Sequence, residues 1–166
     1  MILYPNAKIN IGLNVLSKRN DGYHNISSVF YPILKCYDIL EVINSDKFLF
    51  TTSGLNIPTE NNLCVKTYEI IKLKYNISPV HIHLHKMIPV GSGLGGGSSN
   101  ASFLLKGLNK IFNLNLDSKI LEEISLEIGA DCPFFIDNKP KIVSGIGDIM
   151  LDTDLDLSDY EIKLFY

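Results

Sequence analysis

Tryptophan is absent from this chain of 166 residues, arginine occurs once, as Arg19, and cysteine occurs three times. Cys36, Cys64 and Cys132 are odd in number and far apart. They form neither a disulfide framework nor the paired spacing of a zinc site, and single thiols suit a reducing, cytoplasmic compartment. Positive charge is not in excess: 15 Lys and Arg stand against 18 Asp and Glu, a formal charge of −3. That balance builds no basic surface for nucleic acid or for an anionic membrane. No run approaches the roughly 18 apolar residues of a membrane-spanning helix. Strand-like sequence starts within Met1-Ile2-Leu3-Tyr4, so no leader is expected. The length suits one substantial core and is short for two.

What the chain does have is a concentration of glycine, five of its 12 lying between residues 91 and 97. Pro89-Val90-Gly91-Ser92-Gly93-Leu94-Gly95-Gly96-Gly97-Ser98-Ser99-Asn100-Ala101 lies between a strand-like segment, residues 80–85, and a helix-like one, residues 100–112. Glycine turns through positive φ and lets a backbone approach a ligand with no Cβ in the way. A helix opening directly after such a loop offers unpaired N–H groups and a positive dipole end to an anion. The spacing therefore predicts a phosphate cradle, with a nucleotide as the ligand.

Several enzyme classes use glycine loops, and the spacing separates them. No Lys follows the glycines, which excludes the P-loop pattern. Gly91, Gly93 and Gly96 meet the dinucleotide spacing literally, but Lys86 and Pro89 lie where that fold places a buried apolar strand. The protein-kinase loop requires Val two residues past its last glycine, and Ser98 does not supply it. A flexible Gly/Ser linker is the bland alternative, and two strongly patterned flanks argue against it.

Along the chain the pattern mixes α and β. Residues 7–16 alternate, with Ile9, Ile11, Leu13 and Val15 on one face and Lys8, Asn10, Gly12 and Asn14 on the other. Asn20-Asp21-Gly22 is a hairpin signal. Strands are expected over 26–33, 38–43, 48–52, 80–84, 141–144 and 162–165. Asn61 or Asn62 can cap a helix running to about residue 75. Asp117 or Ser118 can cap another, with Ile120, Leu121, Ile124 and Ile128 on one face and Gly129 as its stop. By residue type alone, Lys8 and Asn10 read as a solvated sheet face, and Asp131 as a turn carboxylate. Likewise Tyr23 and His24 read as surface or packing residues beside a turn.

Taken in order, three segments resemble the GHMP kinases: Asn6-Ala7-Lys8-Ile9-Asn10-Ile11-Gly12-Leu13 with Asp21-Gly22-Tyr23-His24, the glycine loop, and Gly129-Ala130-Asp131-Cys132-Pro133-Phe134-Phe135. Gly145-Ile146-Gly147 follows in the expected place. The resemblance implies an α+β fold, a mixed sheet with helices packed on one side and the phosphate loop opening a helix. It also implies ATP as co-substrate, Mg2+ bridging the phosphates with no protein ligand identified, and a small-molecule alcohol as acceptor, one bearing a cytidine diphosphate. On the same footing Asp131 is the catalytic aspartate and Lys8 its cationic partner. Residues 89–99 bind ATP, with Asn62, Leu63 and Lys86 beside the nucleotide. Asn10, Tyr23 and His24 are assigned to the acceptor, with Tyr23 stacking on the cytosine. A carboxylate is a weak base toward an alcohol, but phosphoryl transfer has a loose transition state, so Asp131 is expected to orient the hydroxyl and take its proton late.

The family also carries a second, carboxyl-terminal domain, and this chain stops at Ile162-Lys163-Leu164-Phe165-Tyr166. The resemblance therefore implies residues 1–166 as the amino-terminal ATP-binding and catalytic domain of a truncated enzyme. Alternatives are another small-molecule kinase of the family and a non-catalytic nucleotide-binding fragment. Finally, His81, His83 and His85 share one strand face as a metal site would, but no nearby Cys or carboxylate completes a set, and a solvated sheet face is expected.

Overall fold

The computed structural model describes residues 1–165. Two four-stranded sheets share the molecule with four helices, so the expected α+β class holds while the single sheet divides in two. The first sheet has the order β1-β4-β6-β5, built from β1 (Ile2–Leu3), β4 (Ile39–Asn44), β6 (Val80–Lys86) and β5 (Leu49–Gly54). It is mixed: β4 runs antiparallel to β6, and β5 runs parallel to it. A parallel neighbour needs a crossover, which α1 (Leu63–Tyr75) supplies between β5 and β6. The second sheet, β2-β3-β7-β8, is antiparallel throughout. It consists of β2 (Asn6–Lys18), β3 (His24–Tyr37), β7 (Lys141–Ser144) and β8 (Ile149–Asp152).

Helix boundaries follow local chemistry. Asn62 caps α1 by accepting the Cys64 N–H at 2.9 Å, and Asp117 caps α3 (Ser118–Ile128) by accepting the Ile120 N–H at 2.9 Å. The first satisfies an orphan amide that the helix cannot pair internally, and so does the second. α2 (Gly96–Ile111) starts four residues earlier than residue 100, because the last glycines already lie in its first turn. A short α4 (Phe134–Asp137) follows α3. Gly129 ends α3 in extended backbone rather than by a left-handed turn. All five non-glycine residues at positive φ are asparagines, Asn76 and Asn138 among them as helix C-caps.

The core lies between the first sheet and the helices. Val80, Ile82 and Leu84 alternate inward from β6 against Ile71 of α1, Leu104, Leu105 and Leu108 of α2, and Leu121 and Ile124 of α3. Each such side chain contributes about 1.5–3 kcal/mol by leaving water. Ile120 of the expected α3 face stays 37% exposed.

The second sheet departs from its sequence pattern. Gly12, at φ 66°, lies where the β2–β3 register shifts, and beyond it Leu13 and Val15 are exposed. At the base of the hairpin the relation is reversed, since Lys8 is buried. The alternation marks a strand correctly but not its buried face, because both faces are covered near Lys8 and neither beyond Gly12. Residues 162–165 form no strand; Ile162 and Leu164 instead pack loosely on a small cluster of Ala7, Ile33, Ile88 and Leu94. No helix is long and apolar enough to cross a membrane among the described residues.

Candidate active site

The glycine loop leaves β6 through Lys86 and enters α2 at Gly96. Gly91, Gly93 and Gly95 sit at φ 75°, 76° and 69°, a region that side chains with a Cβ rarely adopt. Gly95 is the N-cap of α2 and gives its first amides no side-chain bond. Those N–H groups and the helix dipole are thus left to a ligand. A cleft of about 410 Å³ opens in front of them, lined by residues 89–98 on one side and by Ile57, Pro58 and Asn62-Leu63 on the other. Lys86 also reaches its wall, but only from beneath: it is 3% exposed, and its ammonium is held by Asp38.

At the loop's foot, β2 brings Lys8. Its backbone N–H donates to the Leu94 carbonyl at 2.9 Å, and a Cβ on Gly95 would lie 3.0 Å from Lys8 Cγ and from Phe135 Cζ. Glycine is required at residue 95 both for φ and for this close approach. The Lys8 ammonium donates to Asn10 Oδ1 at 2.7 Å, lies 4.4 Å from the centre of the Phe30 ring, and stands 3.4 Å from Asp131 Oδ2. Burial of a lysine is tolerable only with such partners. Lys8 is nearly covered, whereas a third of the Asp131 side chain stays open.

Asp131 lies in the turn between α3 and α4, and the flanks of that turn are fastened from α1 and α2. Lys66 of α1 donates to the carbonyls of Glu127 and Ile128 at 2.8 and 3.0 Å, capping the end of α3. Ser102 of α2 donates to the Cys132 carbonyl at 2.8 Å. Lys106 of α2 donates to the Phe135 carbonyl at 2.7 Å; burial pushes its ammonium down to about 8, against the pull of Asp137. Beneath the turn, Phe134 and Phe135 are fully buried and meet edge to face with centroids 5.0 Å apart. Burial also pushes the Cys132 thiol up to about 11 and the Cys64 thiol up to about 12.

The fold thus gathers Lys8, Asn10, Asp131, residues 89–98 and Asn62-Leu63, while Ser99 is fully buried under the loop. It leaves two residues apart. Tyr23, 61% exposed, and His24 lie at the far end of the β2–β3 hairpin, where His24 pairs with Lys18, whereas Lys8 pairs with Pro32 at the base. His81, His83 and His85 are half-buried rather than simply hydrated. Thr51 Oγ1 lies 2.8 Å from both His81 Nε2 and His83 Nδ1, and Ser53 Oγ 2.9 Å from both His83 Nε2 and His85 Nδ1. Sequence reasoning missed Lys66, Lys106 and Asp38. The first two look like ordinary surface lysines on helices, but Asp38 carries a weak signal, one of two carboxylates, with Glu41, in the otherwise apolar run from residue 36 to residue 43.

Comparison with known proteins agrees with this geometry. Residues 62–139 match the family described as GHMP kinases N terminal domain. The chain is 55% identical over 150 residues to the 4-diphosphocytidyl-2-C-methyl-D-erythritol kinase of Cytophaga hutchinsonii, covering 89% of this chain and 55% of that protein. It is 50% identical over 166 residues to the kinase of the same name from Parabacteroides distasonis, covering 99% and 61%. Among solved structures, a 4-(cytidine 5'-diphospho)-2C-methyl-D-erythritol kinase superposes with a TM-score of 0.80 at 31% identity, over 94% of this chain and 56% of that one. The chain therefore spans less than two thirds of the length of these relatives. With an uncapped helix behind a glycine loop and a lysine–aspartate pair at its foot, the chain belongs to the GHMP kinase family, its residues 62–139 matching that family's N terminal domain.

Proposed function

We propose that this chain is the nucleotide-binding and catalytic part of an enzyme that transfers the γ-phosphoryl group of ATP to a hydroxyl of 4-diphosphocytidyl-2-C-methyl-D-erythritol, in isoprenoid biosynthesis in the cytoplasm. The observation that carries the reading is the Lys8–Asp131 pair, 3.4 Å apart at the foot of the glycine loop. Support for this acceptor comes from the names of the relatives at 50–55% identity.

In this reading the N–H groups of residues 91–97 hold the phosphates, and the Ile57, Pro58 and Leu63 wall takes the adenine. Asp131 orients the acceptor hydroxyl; as the bond from its oxygen to phosphorus forms and the bond to the ADP oxygen breaks, the proton passes to the carboxylate. Lys8 offsets negative charge on the group in transit, with Asn10 fixing its ammonium, and fixed charges of this kind supply much of phosphoryl-transfer catalysis. Mg2+ is held by oxygen donors, one or two carboxylates with the phosphates. Glu60 lines the cleft and Asp131 stands beside Lys8 below its loop, so these two carboxylates are the candidates to hold the ion. Among the described residues no group of three His, Cys, Asp or Glu would hold an ion unaided, which fits an ion carried in on the triphosphate. Bound there, it would neutralise phosphate charge. Tyr23 and His24 would meet the cytosine at the hairpin end, which suits an elongated acceptor, and aromatic stacking on a base is worth about 1–3 kcal/mol.

The chain spans 55% and 61% of the two relatives, and a nucleotide-binding but inactive polypeptide is the second reading. Incubation with ATP, Mg2+ and the cytidylylated methylerythritol, followed by mass spectrometry, separates the two. Product that Asp131→Asn abolishes establishes the kinase. Product only from a chain extended to the relatives' length assigns this part to binding. No product from either rejects the acceptor.

A further inference from the structure

The most heavily bonded carboxylate in the molecule lies outside the site as the sequence draws it. Asp38, between β3 and β4, is 0% exposed and receives four donors. Its Oδ1 accepts the backbone N–H groups of Met87 at 2.7 Å and Ile88 at 2.8 Å. Its Oδ2 accepts Lys86 Nζ at 2.5 Å and Asn100 Nδ2 at 2.8 Å. Met87 and Ile88 lead into the glycine loop, and Asn100 lies in the helix that leaves it. A single side chain therefore ties the two ends of residues 89–99 to each other. The Asp38 N–H in turn donates to the Pro5 carbonyl at 2.9 Å, which anchors the tie in the link between β1 and β2.

The pair also shapes the loop from below. A Cβ on Gly96 would lie 2.8 Å from Lys86 Nζ and 2.9 Å from Ile88 Cγ2, so the first turn of α2 rests directly on the residues that Asp38 holds. Lys86 spends its charge on Asp38 and is covered, a poor arrangement for gripping a ligand and a good one for bracing a backbone. The need for bracing is physical. Glycine loses more conformational freedom on ordering than any other residue, and a loop that orders only on binding pays that entropy out of its affinity.

We infer that Asp38 is a positioning residue for nucleotide binding: it preorganises the glycine loop by fixing both of its ends. This rests on the nucleotide reading given above. Replacing Asp38 alone would strand the buried Lys86 charge and risk unfolding the chain, so the test removes both charges. Binding of a non-hydrolysable ATP analogue with Mg2+ is measured by calorimetry, alongside melting temperature. The double variant Asp38→Ala, Lys86→Met leaves the Met87 and Ile88 amides unpaired, and its affinity falls about tenfold or more. Asp38→Asn, Lys86→Met keeps an oxygen for both amides and recovers to within about threefold of the wild type. Ile71→Val, in the core of α1, reports what general loosening does to binding. The inference is overturned if the Ala variant binds within about threefold of the wild type, or if Ile71→Val loses as much affinity for the same loss of melting temperature. A wild-type chain that binds no nucleotide overturns the nucleotide reading, and this inference with it.

Discussion

Lys8 and Asp131, from opposite ends of the sequence, place an ammonium and a carboxylate 3.4 Å apart beneath a glycine loop, the lysine covered and the aspartate a third exposed. An exposed carboxylate that shares few bonds with the fold should matter to turnover and little to stability. We expect Asp131→Asn to lower kcat by about 10²–10³-fold, with the melting temperature nearly unchanged. Lys8→Met should lower kcat comparably while its stem still packs on Phe30. Steady-state rates with Mg-ATP and the cytidylylated acceptor check this, and full turnover by Asp131→Asn would remove the aspartate from the mechanism.

The consecutive glycines Gly95, Gly96 and Gly97 should respond differently to alanine. At Gly95 a Cβ meets both a φ of 69° and contacts at 3.0 Å with Lys8 and Phe135, and at Gly96 it meets the locked Lys86 and Ile88 at 2.8 and 2.9 Å. At Gly97 the nearest atom is Leu63 Cδ1 at 3.8 Å, an ordinary contact. Left-handed backbone alone costs a Cβ-bearing residue roughly 1–2 kcal/mol. Gly95→Ala and Gly96→Ala should therefore destabilise, while Gly97→Ala, inside a helix, should be neutral or gain up to about 1 kcal/mol. Denaturant midpoints decide, and equal losses at all three positions would contradict the packing described.

Lys106 gives a pH dependence of defined sign. Burial lowers its folded pKa from 10.5 to about 8, so the unfolded chain holds the proton more tightly. Below about pH 8 both states are charged and the burial penalty is complete; it fades as the pH rises toward 10.5 and the folded amine is neutral first. Relative to Lys106→Met, the wild type should gain stability across that window, by at most roughly 3 kcal/mol. Taking the difference cancels the thiols, which titrate over the same range. A difference flat between pH 7.5 and 10.5 would mean that the amine is better solvated than its setting implies.

Between β5 and β6, Thr51 and Ser53 bridge three histidine rings. Thr51→Val keeps the shape and deletes two of those bonds, and it should cost roughly 1–3 kcal/mol. Urea unfolding at neutral pH measures this. No loss would show that water replaces the hydroxyl without penalty.

Thiol labelling tests the packing around the two helices. Cys64 and Cys132 are buried with thiols pushed up to about 12 and about 11, whereas Cys36 is half-buried. The thiolate is the reactive form. In the native state at neutral pH Cys36 should label first, and the other two only on unfolding; early labelling of Cys132 would place the Asp131 turn in an open state.

How much of this was legible in advance depended on range. The glycine loop, the caps at Asn62 and Asp117 and the alternation of β6 are written in neighbouring residues, since backbone sterics and cap bonds act over a few positions. Those features came directly from the sequence. The division into two sheets, the brief β1 and β8, and the unpaired tail at residues 162–165 depend on which partner a strand finds, and no local pattern carries that. Family resemblance named Lys8, yet composition alone made its strand face solvated. Only the tertiary structure buries it, by closing Phe30, Asn10 and the loop around one ammonium. The same holds for Asp38: the chain shows a carboxylate among apolar residues, and the fold decides that two loop ends and a buried lysine converge on it. Sequence determined where the backbone could turn and cradle an anion; tertiary packing alone decided which charges meet there, because a buried charge persists only where distant segments bring it partners.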